Sequence, residues 1–186
     1  MGFIELSKFY DEGSYATLAA IWIDDKTAYW MTYGDSVVFC FNTKTKILET
    51  NIENLTIFNH SPYLISCSSP LEVSGFKSGV FQNIKDSILF CASDALAHYI
   101  LACYYVCSPR HRVFFAEAFS TKSKNANYIK AIQEKQNLDF EKEVLNKLIR
   151  CSKNKANFKK HIEKLQRAGK IASDDYSICF IYGDVI

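Results

Sequence analysis

No hydrophobic run in this chain approaches the roughly 20 residues that span a bilayer. The opening Met1-Gly2-Phe3-Ile4-Glu5 has neither a basic start nor a long apolar core, so neither a membrane nor the secretory route is expected. Met1-Gly2 with Ser7 also misses the myristoylation pattern, whose hydroxyl residue is the sixth. Net charge is equally scarce. The 22 Lys and Arg against 20 Asp and Glu leave +2, too little to imply a polyanion, and nucleic acid is not an expected ligand. The seven cysteines contain no Cys-x-x-Cys pair, and Cys103 with Cys107 stands at helical spacing without neighbouring histidines. A zinc site is therefore not expected, and the thiols read as buried and reduced in a cytoplasmic protein. No internal repeat or low-complexity tract occurs.

What the chain does have is apolar and aromatic mass. At 186 residues, 48% hydrophobic and 15% aromatic, it can bury a sizeable core, and its length predicts one domain over 1–186. Between Tyr15 and Phe58 the segments Ala16–Ile23, Ala28–Tyr33 and Val37–Phe41 are rich in β-branched and aromatic residues. They are separated by the turn-like Asp24-Asp25-Lys26 and Gly34-Asp35-Ser36, with Asn42-Thr43-Lys44 following. This pattern predicts an antiparallel meander. The stretch from Asn59 to Ser87 is looser, with Pro62, Pro70, Gly75 and Gly79; a short strand pair is expected there, ahead of an apolar strand over Ser87–Ala92.

After Asp94 the period changes to three and four residues: Leu96, Tyr99, Ile100, Cys103 and Tyr104 mark one face of a helix that ends before Pro109. The polar segment from about 122 to 169 places Phe140, Val144, Leu148, Phe158, Ile162 and Leu165 at helical spacing, which predicts a helical insertion. Asn154 can cap its last helix and Gly169 can end it. Tyr176–Tyr182 is a nearly continuous apolar strand, expected inside a sheet.

Two acidic segments about 80 residues apart carry the functional signal: Ser93-Asp94-Ala95-Leu96 after one apolar run, and Asp174-Asp175-Tyr176-Ser177 opening another. Each sets a carboxylate where a strand meets a turn or helix, a place from which a rigid scaffold can hold oxygen ligands around a hard cation. Plainer readings stand beside this one. Asp94 can be a helix N-cap, Asp174 a turn residue after Gly169, Asp35 a hairpin turn residue and Asp175 a solvated acid. His60, His98, His111 and His161 are scattered and read as surface or packing residues, and Trp22 and Trp30 read as core. Lys153, Lys155, Lys159, Lys160, Lys164, Arg167 and Lys170 face a single acid, Glu163. They read as a solvated helix face, or as a dock for an acidic or phosphorylated partner.

Taken in order, Gly34-Asp35-Ser36 between strands, Ala92-Ser93-Asp94-Ala95-Leu96-Ala97 after a strand, and Ser173-Asp174-Asp175-Tyr176-Ser177-Ile178 before the last strand resemble the metal-dependent (PPM, or type 2C) protein serine/threonine phosphatases. The order is similar to that family's Gly-Asp-Ser motif, Ser/Thr-Asp-Gly motif and closing Asp-Asn/Asp-x-Thr/Ser motif. Ala95 stands where the family commonly has glycine. The run Ser-Asp-Ala-Leu-Ala, Ser61-Pro62-Tyr63-Leu64 and the helical insertion resemble a bacterial branch.

The resemblance implies an α+β fold, an antiparallel β-sandwich flanked by helices, with a binuclear Mn²⁺ or Mg²⁺ centre at one edge. It further implies hydrolysis of phosphoserine or phosphothreonine in a protein substrate. Asp94 and Asp174 would be metal ligands, and Asp35 would help a further ion. The family's opening portion, with a metal-bridging aspartate and a phosphate-binding arginine, has no counterpart in these residues, and Asp11-Glu12-Gly13-Ser14 does not replace it. The expected sandwich is therefore incomplete at its N-terminal side. An exposed edge and apolar face are expected, open to self-association or to a partner chain. A catalytically silent relative that binds proteins is the alternative.

Overall fold

The computed structural model describes residues 14–53, 55–67, 69–108, 125–134 and 138–181; His111 and the rest of 109–124 lie outside them, as does Tyr182. Nine strands run in the order β1 (Tyr15–Ala16), β2 (Leu18–Asp24), β3 (Thr27–Tyr33), β4 (Val37–Asn42), β5 (Leu48–Thr50), β6 (Ile65–Ser66), β7 (Phe76–Gln82), β8 (Ser87–Ala92) and β9 (Ile178–Ile181). Between β8 and β9 come α1 (Asp94–Cys107), α2 (Asn125–Gln133), a π-helical turn over Phe140–Leu145 running into α3 (Asn146–Ser152), and α4 (Lys155–Arg167). The fold is mixed α and β, with antiparallel sheets.

The expected meander holds only through β3. Strand β4 leaves β3 and joins a different sheet: one sheet has the order β2-β3-β7, a second β5-β4-β8-β9, and β1 pairs with β6. The reason is visible in β4, where Val37, Val38, Phe39, Cys40 and Phe41 are all buried. A strand apolar on both faces must be covered on both. Val38 and Cys40 pack with Leu89, Ala28 and Phe81 between the two larger sheets, whereas Val37, Phe39 and Phe41 pack with Phe90, Phe180 and the helices. The period-2 alternation thus feeds two cores.

Three other expectations change. The stretch from Asn59 to Ser87 holds β6 and β7, but they do not pair with each other; β7 pairs with β3 along its full seven residues, from Tyr33 opposite Phe76 to Thr27 opposite Gln82. Strand β9 lies at the edge of its sheet. Its apolarity reflects Phe180 packing toward the helices and Ile181 toward the other sheet, with Cys179 exposed, rather than a central place in the strand order. Trp22 is 52% exposed, on the face of β2 turned away from the core, and stacks on Tyr29 at 5.7 Å between ring centroids. Trp30 is half-buried and packs with Phe81.

Helix α1 is buried all round, from Ala95 to Tyr105, because sheet and helices enclose it; the expected single apolar face was too narrow. Phe140, Val144, Leu148, Ile162 and Leu165 are buried beside it, with Phe158 packed against them. Asn154 caps α4, its Oδ1 accepting from the Ala156 and Asn157 amides at 2.9 and 3.1 Å. Gly169, at φ +64°, terminates that helix. All seven cysteines are free, with Cys67 and Cys179 exposed and the others buried or half-buried. No helix among the described residues is long and apolar enough to cross a membrane.

Candidate functional site

Asp35, Asp94 and Asp174 come from three distant parts of the chain: the turn between β3 and β4, the first residue of α1, and the loop between α4 and β9. Asp35 lies in the turn that passes the chain from β3 to β4, between the two sheets. That turn depends on Gly34, whose φ of +86° favours glycine and whose position leaves no room for a Cβ: one would meet the Tyr63 carbonyl at 2.5 Å and Thr17 Cγ2 at 2.7 Å. Around it, the Gly34 amide donates to the Gly75 carbonyl at 3.3 Å, and the Thr17 and Ser36 hydroxyls share a hydrogen bond of 2.7 Å. Asn51 completes the frame by accepting from the Val38 amide and donating to Thr32.

Asp94 is the first residue of α1, and Ser93 holds the N-cap position without capping by its side chain. The Ser93 hydroxyl is used elsewhere. It donates to the Asp175 carbonyl at 3.2 Å and accepts from the Ser177 amide at 3.1 Å, while the Ser93 amide donates to the Ser177 carbonyl. This clamp fastens the start of α1, where Asp94 stands, to the segment that carries Asp174 and leads into β9. The second fastening is Tyr176, whose hydroxyl donates to the Ala172 carbonyl and accepts from the Asp174 amide at 3.2 Å and from Gln166 Nε2 of α4 at 2.9 Å. Asp174 Oδ1 itself accepts from the Asp175 amide at 2.8 Å. Neither Ser93 nor Tyr176 was singled out from sequence; in the order Ser-Asp before a helix, the serine looks like an ordinary cap.

The electrostatics report the convergence. Burial pushes the Asp35 carboxyl up to about 6, with the negative charge of Asp94 adding to it and that of Asp174 contributing less. Asp94 is also raised, first by burial and further by Asp174, against the lowering effect of a hydrogen bond from the Ala95 backbone. Asp174 itself is exposed; its charge acts on the two half-buried carboxyls, and like charges nearby disfavour ionisation. Among the described residues no ion pair relieves any of the three.

The three carboxylates offer hard oxygens, the donor type of Mn²⁺, Mg²⁺ or Ca²⁺ rather than of zinc. Their arrangement is open. Among the described residues no three His, Cys, Asp or Glu side chains are close enough together to hold a metal ion, so a cation here would keep most of its ligands as water. Asp175 is exposed. His98 and His161 are buried well away in chemical character, each held down to about 4 by burial, His161 also by Lys147 and Lys164. His60 is exposed, so the histidines of the described residues remain packing or surface groups. Compared with protein-family models, with curated proteins and with solved structures, the chain matches none.

Proposed function

We propose that this chain is a phosphatase-like domain of the metal-dependent serine/threonine type, its two larger sheets forming the sandwich and its acidic rim binding Mn²⁺ or Mg²⁺. The observation that supports the reading is the placement of Asp35 in the β3–β4 turn, Asp94 at the start of α1 and Asp174 in the loop before β9, with Asp35 and Asp94 half-buried and raised further by acidic neighbours. Coupled carboxylates without a cation are an unfavourable arrangement that a divalent ion relieves. Asp94 and Asp174 would hold the ion at the Ser93 clamp, and Asp35 would serve a weaker position beside it. A bound Mn²⁺ or Mg²⁺ supplies a lowered pKa for its water and neutralises charge on a phosphoryl group. The chain's own part is to orient the ligands through Gly34, Ser93 and Tyr176 and, without metal, to hold a proton on Asp35 up to about pH 6. The substrate class is a phosphoserine or phosphothreonine in a protein.

The open ligand arrangement favours a second reading, a catalytically silent relative that binds proteins, alone or completed by a further chain. Support comes from the outer face of the β2-β3-β7 sheet, where Leu18, Trp22, Phe76 and Val80 are exposed beside Val73, which is 86% exposed.

Hydrolysis of p-nitrophenyl phosphate under divalent titration separates the two. The enzyme reading expects Mn²⁺-dependent turnover that Asp94→Ala abolishes, a loss on the order of a hundredfold or more. Turnover that survives this substitution unchanged removes the site assignment, and metal binding without turnover selects the silent relative.

A further inference from the structure

The outer surface of α4 is strongly and one-sidedly basic. Lys159, Lys160, Lys164 and Arg167 line one shallow depression together with Ala156 and Glu163, and Lys155 extends the same charge toward the helix start. Glu163 is already engaged by Arg167 at 3.5 Å. Lys155, Lys159, Lys160 and Lys164 meet no acid within ion-pair distance among the described residues. Charge of one sign concentrated on one face, on a chain whose net charge is only +2, is a local field rather than a general property of the surface.

The second observation is where this helix ends. Gln166, in its last turn, donates to the Tyr176 hydroxyl at 2.9 Å, and that hydroxyl accepts from the Asp174 amide. The helix that carries the basic face is therefore hydrogen-bonded, through Tyr176, to the loop that carries Asp174. We propose that α4 docks an acidic stretch of a phosphorylated protein substrate, presenting its phosphoryl group to the Asp35, Asp94 and Asp174 rim; this inference rests on the phosphatase-like reading of that rim.

The chemistry selects this occupant over other anions. Phe158, the aromatic ring of α4 outside its histidine, packs on the helical core, so the basic face offers no platform for stacked bases. Its exposed positions, Lys155, Ala156, Asn157, Lys159, Lys160, Lys164 and Arg167, offer no large apolar side chain to enter a lipid interface. The 13 residues of α4 span roughly 20 Å, the length of about six residues of extended chain. A short run of Glu or Asp beside the phosphorylated residue matches that length and charge.

The test is fluorescence anisotropy with a fluorescein-labelled peptide carrying one phosphoserine followed by about six glutamates. The intact chain is expected to bind it with an affinity that falls as salt rises. The combined Lys159→Glu, Lys160→Glu and Lys164→Glu substitutions should weaken binding by about tenfold or more, three exposed pairs turned to repulsion. A matching Lys→Gln variant should show a smaller loss in the same direction. Both should leave p-nitrophenyl phosphate turnover unchanged, and a control peptide with serine in place of phosphoserine should lose affinity by the same factor in the charge-reversed chain, which separates failure of the dock from failure of the rim. Equal binding by the charge-reversed chain, absence of peptide binding, or tighter binding of a single-stranded oligonucleotide or a phosphatidylserine vesicle overturns the proposal.

Discussion

Asp35 and Asp94 at the rim, and His98 and His161 in the helical layer, are all made harder to ionise by burial, but the consequences run in opposite directions. At the rim Asp35 is raised further by Asp94 and Asp174, and Asp94 by Asp174, and all three side chains remain partly or fully exposed to solvent. His98 is 5% exposed, lies edge-on to Phe58, and its Nε2 has no hydrogen-bond partner among the described residues. The rim thus leaves its carboxylates within reach of solvent, whereas the layer keeps its histidines neutral. Burial alone does not mark a functional site; burial combined with like charge and an opening does.

The largest test of that contrast is acid unfolding. A folded His98 stays neutral down to about 4, while in the unfolded chain it takes a proton below about 6.5. Its contribution to stability is therefore complete above that value and is lost as pH falls toward 4, up to roughly 3 kcal/mol from this one residue. His161 acts with the same sign. Denaturant titrations at a series of pH values should show this fall, and His98→Leu should flatten it while leaving stability at neutral pH equal or higher, since a buried atom without a partner is removed. An unaltered acid profile in that variant would mean His98 is already protonated when folded.

A smaller effect is expected at the clamp. Ser93→Ala removes two hydrogen bonds between the start of α1 and the 175–177 segment, a loss of about 1–2 kcal/mol in chemical denaturation. It should also weaken the apparent affinity for Mg²⁺ by loosening Asp94 relative to Asp174. Unchanged metal affinity would show that the clamp does not position the ligands.

The smallest effect distinguishes the rim most sharply from the layer. The contribution of Asp35 is present below the usual carboxylate range and lost as pH rises through about 6, the reverse of the histidines. In metal-free solution at neutral pH, Asp35→Asn should therefore raise the melting temperature by about 2–4 °C, taking roughly 1 kcal/mol after allowance for its partial exposure. The same substitution should reduce the further rise produced by Mg²⁺. A fall in melting temperature without metal would contradict the like-charge account.

Much of the scaffold was legible because its signals are local. The bounds of β3, β4, β8 and α1 follow from β-branched and aromatic runs and from the switch in period after Asp94, and the Asn154 cap follows from side-chain chemistry. The sheet change at Gly34 was not legible, because a turn flanked by two apolar strands looks like a hairpin whether or not the strands pair. The two-sided burial of β4 becomes evident only when the second sheet and the helices are in place. Trp22 misled for a related reason: the sequence marks both faces of β2 as apolar and does not say which one finds cover. The three aspartates were chosen through motif order, and no periodicity connects Asp35 with Asp174. Ser93 was hidden by its resemblance to a cap, since the partner of its hydroxyl lies more than 80 residues away.

The most direct test of convergence at the rim is an NMR titration of the aspartate carboxyl carbons in metal-free protein, wild type against Asp94→Asn. The Asp35 carboxyl should titrate at about 6 in the wild type and move down toward the ordinary range when the Asp94 charge is removed. An Asp35 that titrates at an ordinary carboxylate value, and does not respond to Asp94→Asn, would contradict the shared site.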